Sequence, residues 1–203
     1  QRWGNRLHRK TRERVVRNLL LVEPLQPLDP LQASESERVL RASPFISDAH
    51  ITVEPVVGEK DSVDLVVLVH DKWSIDVDGE GDLSSGSVRI RERNFLGWGQ
   101  AVEQQVGAVL GQPELLFSGS HQVYNIRNSR ISSYASYSLS PNGDNLGFSL
   151  QRPFYSPLAK WAAGLSWGQG WSQYKVYDTE GAVLSSYPLS PASLDIWGGR
   201  SFR

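Results

Sequence analysis

One stretch constrains this chain more than any other: residues 76–97, DVDGEGDLSSGSVRIRERNFLG. Acidic side chains take alternate positions at Asp76, Asp78 and Glu80. After a short polar break, arginines do the same at Arg89, Arg91 and Arg93. Period-two alternation belongs to a β-strand, whose successive side chains point to opposite faces. A two-residue turn at Ser84-Ser85 sets Asp76 against Arg93, Asp78 against Arg91 and Glu80 against Arg89. Opposite charges that face each other across an antiparallel pair stabilise it. The other side carries Ile75, Val77, Leu83, Val88 and Ile90, with Gly79 and Gly81 between them. The stretch therefore predicts one hairpin with a charged face and an apolar face. The same acids imitate the first half of an EF-hand calcium loop, which needs helical flanks and a bidentate Glu at its twelfth position. Here the twelfth residue is Ser87 and the flanks alternate as strands.

Further segments alternate in the same way. Val102, Val106, Ala108 and Leu110 stand against Glu103, Gln105 and Gly107. Ile131, Ala135, Tyr137 and Leu139 stand against Ser132, Ser136 and Ser138. Ala159, Trp161, Ala163, Leu165, Trp167 and Trp171 stand against Lys160, Gly164, Ser166 and Gly168. Segment spacing from Ile75 onward gives roughly eight strands. Their length is close to the ~10 residues that a tilted strand needs to cross a bilayer. A soluble sandwich buries its apolar faces against a second apolar layer. A transmembrane barrel turns them to lipid and lines its lumen with charge and small polar residues. The polar faces here are Ser, Gly, Gln and charge, with few large apolar groups to build a second layer. Tyr155, Trp161, Trp167, Trp171 and Tyr174 are expected near segment ends, as interfacial girdles. Lipid outside is the favoured arrangement.

The first third differs. Thr11 is placed to cap a helix over 12–22, with Val15, Val16, Leu19, Leu20 and Val22 on one side. Lys10, Arg14 and Arg17 follow the other side and read as a solvated face. No aromatics interleave them and no nucleic-acid recognition motif follows. Asp29 as N-cap and Pro30 at the first helical position open a second helix, which stops before Pro44. A strand with Ala49, Ile51 and Val53 on one face follows. Next comes VDLVVLVHD, apolar on both faces like a covered central strand.

Bulk properties exclude several classes. A net charge of −1 over 203 residues offers no global pull toward nucleic acid. With no cysteine there are no disulfides or thiolate metal sites. The four histidines are scattered, no serine sits in a nucleophile elbow, and GWGQAV lacks a dinucleotide fingerprint. No catalytic, cofactor or metal site is expected, and the chain is not read as an enzyme. It starts at Gln1 without methionine or leader and reads as an excised segment.

Residues 1–72 resemble a POTRA domain, the periplasmic βααββ repeat, through Gly4-Asn5, Thr11, the Arg-rich helix, RVLRASPFI and DLVVLVHD. The family's first strand would lie before residue 1. Residues 73–203 follow as the N-terminal part of a barrel. With both parts in this order, the chain resembles the outer-membrane surface-antigen superfamily, which joins POTRA repeats to a 16-stranded barrel. Asn94, Phe95, Leu96, Gly97 and Gly99 fit its Asn-Phe/Trp-Leu-Gly-x-Gly stretch, with Trp98 at the free position. Pro153, Phe154 and Pro157 fit its Pro-Phe/Tyr-x-x-Pro turn. About half of such a barrel is present, and GGRSFR does not substitute for the family's lumenal arginine motif.

The resemblance implies an α+β module followed by an antiparallel up-and-down sheet. It implies insertion of outer-membrane proteins or polypeptide export, by strand addition at a weak barrel seam. The first barrel strand and seam would be Ile75, Val77, Gly79, Gly81 and Leu83. The lumen ladder would be Asp76, Asp78, Glu80, Arg89, Arg91 and Arg93. Expected partners are the outer-membrane bilayer, unfolded client polypeptides and periplasmic accessory proteins, with no nucleic acid and no cofactor. The POTRA-like module would sit in the periplasm of a Gram-negative-type bacterium. The alternative is a soluble or surface-attached β-rich binding protein with an α+β cap.

Overall fold

The computed structural model describes residues 9–59, 61–111, 115–141 and 143–202. Two helices, α1 (Glu13–Arg17) and α2 (Pro30–Arg41), precede an antiparallel hairpin of β1 (Ile46–Pro55) and β2 (Val63–Asp71). Helix α2 starts as its sequence predicts: the Asp29 carboxylate accepts from the Leu31 amide at 2.9 Å and Pro30 follows the cap. Leu40, Phe45, Ile46 and Ala49 are buried together with Val16 and Leu19, and Ile51, Val67 and Val69 pack against them.

Three expectations for this part are corrected. Helix α1 has five residues, and Arg12, not Thr11, holds its N-cap position, without a side-chain bond. The Thr11 hydroxyl is engaged elsewhere, donating to Asp71 Oδ1 at 2.6 Å. The helix stops early because the carbonyls of Asn18 and Leu20 accept from the Arg130 guanidinium, at 2.7 Å and 2.5 Å, in place of helical amides. Strand β2, which pairs with β1, is not covered on both faces: Leu68 is 57% exposed. The expected Gly4-Asn5 turn lies outside the described residues.

The second sheet contains β3 (Ile75–Gly81), β4 (Ser85–Glu92), β5 (Gln100–Val109), β6 (Leu115–Val123) and β7 (Ser132–Leu139). It continues through β8 (Gly143–Arg152), β9 (Trp161–Tyr177), β10 (Val183–Leu189) and β11 (Ala192–Arg200). Each strand pairs antiparallel with its predecessor, except that β10 and β11 both pair with β9. Leu189 faces Ser172 and Ala192 faces Gln169, so β10 and β11 keep one register and form two halves of a single path. Pro191 interrupts that path: it has no amide to donate, and its carbonyl accepts from Gly170 N at 2.8 Å. Counted this way, eight paths run up and down, as segment spacing predicts. Among the described residues β3 and the β10–β11 path are the two edges.

The opening hairpin forms, in a different register. Asp76 faces Arg91, Asp78 faces Arg89 and Glu80 faces Ser87, so the predicted pairs Asp76–Arg93, Asp78–Arg91 and Glu80–Arg89 are each displaced by two residues. The cause is the turn. Asp82 Oδ1 accepts from the Ser84 and Ser85 amides at 2.6 and 2.7 Å, and Asp82 N donates to Ser85 O at 2.8 Å. That clasp makes Leu83-Ser84 the loop instead of Ser84-Ser85. Leu83 is therefore a fully exposed turn residue and no part of β3. Asp76 and Arg93 still meet as an ion pair, along a diagonal. The aromatic expectation also changes. Strand β9 is 17 residues long, which places both Trp167 and Trp171 in its middle stretch, away from either end.

Candidate functional site

The register assigns every strand residue to one of two faces. On one, Val88 stands opposite Val106, Val106 opposite Phe117, and Phe117 opposite Leu139. Phe148 stands opposite Trp167, and Trp167 opposite Leu194. These side chains are exposed, from 39% at Phe148 to 65% at Leu194, and Ile196 on the same face is 71% exposed. Covering the roughly half of one such side chain that remains exposed is worth ~1 kcal/mol. A dozen of them match the ~5–15 kcal/mol by which a domain is ordinarily stable. A face this wide requires a non-aqueous neighbour.

The opposite face is charged where β3, β4 and β5 meet. Arg91 pairs with Glu103, and Arg89 reaches Glu103 at 3.8 Å and Gln105 at 3.4 Å. The ladder thus spans three strands, and β5 supplies an acid, Glu103, that the hairpin alone does not suggest. Further along, this face is Ser118, Ser120, Ser136, Ser138, Gly147 and Ser149.

Strand β3 carries its acids on the polar face and Ile75 and Val77 on the apolar face, and its second edge has no partner among the described residues. Gly79 has room: a Cβ there would meet nothing closer than Ser87 O at 3.9 Å. Gly81 is tighter, with Ser85 O at 3.2 Å from such a Cβ.

The motif residues 94–99 form the β4–β5 connection, and their surroundings show what they hold. Asn94 is 1% exposed; its Nδ2 donates to Thr11 Oγ1 and its Oδ1 accepts from Gly99 N, both at 2.8 Å. Thr11 in turn binds Asp71 at the end of β2 through its hydroxyl and, at 2.9 Å, its amide. One relay, buried at Asn94 and half-buried at Thr11 and Asp71, therefore ties the β4–β5 connection, the start of α1 and the end of β2. Gly97, at φ 75°, lies where any Cβ would strike Lys10 O, and its own carbonyl accepts from Arg12 N at 3.0 Å. Gly99, at φ 66°, would place a Cβ 2.7 Å from Val15 Cγ1. Phe95 and Leu96 remain exposed at the tip.

The other predicted motif sits at the same end. The β8–β9 connection holds Pro153, Phe154 and Pro157, with the Phe154 ring beside Gly199 of β11. Tyr155 and Ser156, which lie between its two prolines, contact α2. Ser156 donates to Glu35 at 2.8 Å, and Arg38 donates to Tyr155 O at 2.6 Å. The Arg38 guanidinium, and then the Ser156 hydroxyl, hold the Glu35 carboxyl below its ordinary value.

Sequence reasoning missed Arg130, Asn125, Glu35, Ser156 and the role of Trp98. Arg130 and Asn125 both donate to Asn18 O at 2.7 Å, closing the end of α1. The Arg12 guanidinium lies 3.9 Å from the Trp98 ring centroid. Three non-glycine residues at positive φ within four positions are rare, but Arg127, Asn128 and Arg130 leave no such mark in the sequence.

No family model matches the chain, and no curated protein matches it. Among solved structures it is similar to the crystal structure of BamA from Haemophilus ducreyi lacking POTRA domains 1-3. The TM-score is 0.57 at 13% identity, over 95% of this chain and 42% of that one. The chain therefore spans less than half the length of the structure it resembles. Antiparallel neighbours in sequence order, an uncovered apolar face opposite a polar one, and this likeness together give the chain the fold of part of a BamA-like outer-membrane β-barrel.

Proposed function

We propose that this chain is part of an outer-membrane protein that inserts other membrane proteins or exports polypeptides. Its apolar face meets lipid, and a POTRA-like module, residues 1–72, packs at the periplasmic end of the barrel. The observation that carries this is the wide exposed apolar face on a sheet whose opposite face is a three-strand charge ladder. A water-soluble domain would have to cover that face; a bilayer covers it without further protein.

The work proposed is non-covalent. The edge of β3 that has no partner among the described residues offers a row of backbone amides and carbonyls to an incoming client strand. Each bond contributes ~0.5–1.5 kcal/mol net, so a few of them capture a strand and still release it. Gly79 keeps the approach open and the strand pliable. The ladder residues Asp76, Asp78, Glu80, Arg89, Arg91 and Arg93 would line the lumen, and periplasmic accessory proteins would meet the module.

Gly79→Val is the test, because the added side chain meets no close neighbour in the sheet. In the complete protein carrying this chain, the variant should keep a heat-shifted barrel band on a gel. It should insert client barrels several-fold more slowly, and a photocrosslinker at Val77 should lose its client adduct. Undiminished insertion with an intact barrel would refute the edge mechanism. A wild-type protein that is soluble without detergent would refute the membrane placement and leave the soluble binding protein.

A further inference from the structure

At the end of the sheet that meets α1, a groove of about 740 Å3 separates the helix from the β4–β5 and β6–β7 connections. We propose that it holds the phosphate of an anionic phospholipid whose acyl chains lie on the apolar face directly above it. The proposal rests on the bilayer placement of the sheet.

Position comes first. Gln100 and Val123 line the groove and stand opposite each other as the last β5–β6 pair on the apolar face. Val106 and Phe117 continue that face away from the groove. The groove therefore begins where the apolar surface ends. At this level the same face turns polar, with the His121 ring 3.0 Å from Gln100 Oε1. Trp98 also lines the groove, and an indole is the side chain most at home among headgroups.

Charge comes second. Arg14 and Arg127 line the groove, both are exposed, and neither has a carboxylate within ion-pair distance among the described residues. Arg14 lies 5.1 Å from the Trp98 ring, which also carries Arg12. Nearby acids are already committed: Glu13 to Arg17 at 2.7 Å, and Asp71 to Thr11. Arg127 adopts φ 48° within a connection held by Asn125 and Arg130, which fixes where its side chain starts. Guanidinium forks match phosphate oxygens in geometry as well as charge. Charge calls for an anion, and the adjoining apolar face calls for one with a hydrocarbon tail. A zwitterionic lipid, whose phosphate is matched by its own amine, fits less well.

The complete protein, purified in detergent and exposed to phosphatidylglycerol or phosphatidylcholine, tests this by native mass spectrometry of retained lipid. Phosphatidylglycerol should be retained preferentially. Retention should fall about fivefold for each of Arg14→Gln and Arg127→Gln, while the charge-matched pair Arg41→Gln and Lys175→Gln leaves it unchanged. Equal retention of both lipids by the wild type would overturn the proposal, as would undiminished retention in the variant that combines Arg14→Gln with Arg127→Gln. Displacement of the lipid by inorganic phosphate as readily as by phosphatidylglycerol would overturn it in favour of a free anion. The heat-dependent gel shift and protease protection of the same samples after reconstitution separate the two levels of failure. If both are absent from the wild type, the barrel reading falls and this proposal with it. If both are present, a negative lipid result overturns the groove alone.

Discussion

Replacing Asn94 with alanine should free the α1 segment from the sheet while leaving the sheet folded. The side chain is 1% exposed and makes two side-chain bonds of 2.8 Å, accepting from Gly99 N and donating to Thr11 Oγ1. Alanine leaves the Gly99 amide buried without an acceptor, which costs ~1–3 kcal/mol. Loss of the bond to Thr11 adds ~0.5–1.5 kcal/mol. Together they make about 1.5–4.5 kcal/mol, or a roughly 10- to 2,000-fold more frequent opening of this junction. Hydrogen exchange read by mass spectrometry on the detergent-solubilised protein measures it directly. The amides of Gly99 and of Arg12, whose own bond to Gly97 O is 3.0 Å, should lose protection by that factor. Peptides from β7 and β8 should not change. Asn94→Asp keeps the acceptor for Gly99 but loses the donor to Thr11, whose hydroxyl already serves Asp71, so its effect should be intermediate. Unchanged protection at Arg12 and Gly99 in Asn94→Ala would refute the idea that residues 94–99 act as the clasp of the α+β unit.

Two further outcomes follow from the same geometry. A Cβ on Gly164 would collide with the Trp197 indole, so Gly164→Val should lower the unfolding midpoint, by ~1–3 kcal/mol in stability; Trp197→Ala in the same chain should restore most of it, and failure of that rescue in urea titration would exclude the clash as the cause. The Glu35 contact with the β8–β9 connection depends on a depressed carboxyl: its contribution is present above the ordinary pKa of 4.5 and is lost as pH falls through the lowered folded value. Exchange at the Tyr155 and Ser156 amides should therefore be flat at neutral pH and rise only in acid below 4.5, after correction for intrinsic rates. A rise near neutrality would contradict it.

The first hairpin shows how far patterning reaches and where it stops. Alternating acids and arginines fix which residues share a face, because a one-residue slip would turn every side chain over. A two-residue slip keeps every face, so the pattern cannot distinguish the register predicted from the one observed. The Asp82 carboxylate decides between them by clasping the Ser84 and Ser85 amides, a local turn interaction that hydropathy does not register. Helix α1 teaches the opposite lesson. Its apolar spacing supports a helix over 12–22, but Arg130, more than a hundred residues away, takes the carbonyls of Asn18 and Leu20 and ends it. Residues 94–99 are recognisable as a motif, yet their contacts with Thr11, Lys10 and Val15 join positions over eighty apart.

The order of elements, the two-faced character of the strands and the roughly eightfold repeat were determined by sequence alone, since each follows from the period and chemistry of neighbouring residues. The register of the first hairpin, the length of α1 and the docking of the α+β unit were decided only by tertiary structure. Each depends on a turn clasp or a hydrogen bond whose partner lies far along the chain, where no local pattern carries its mark.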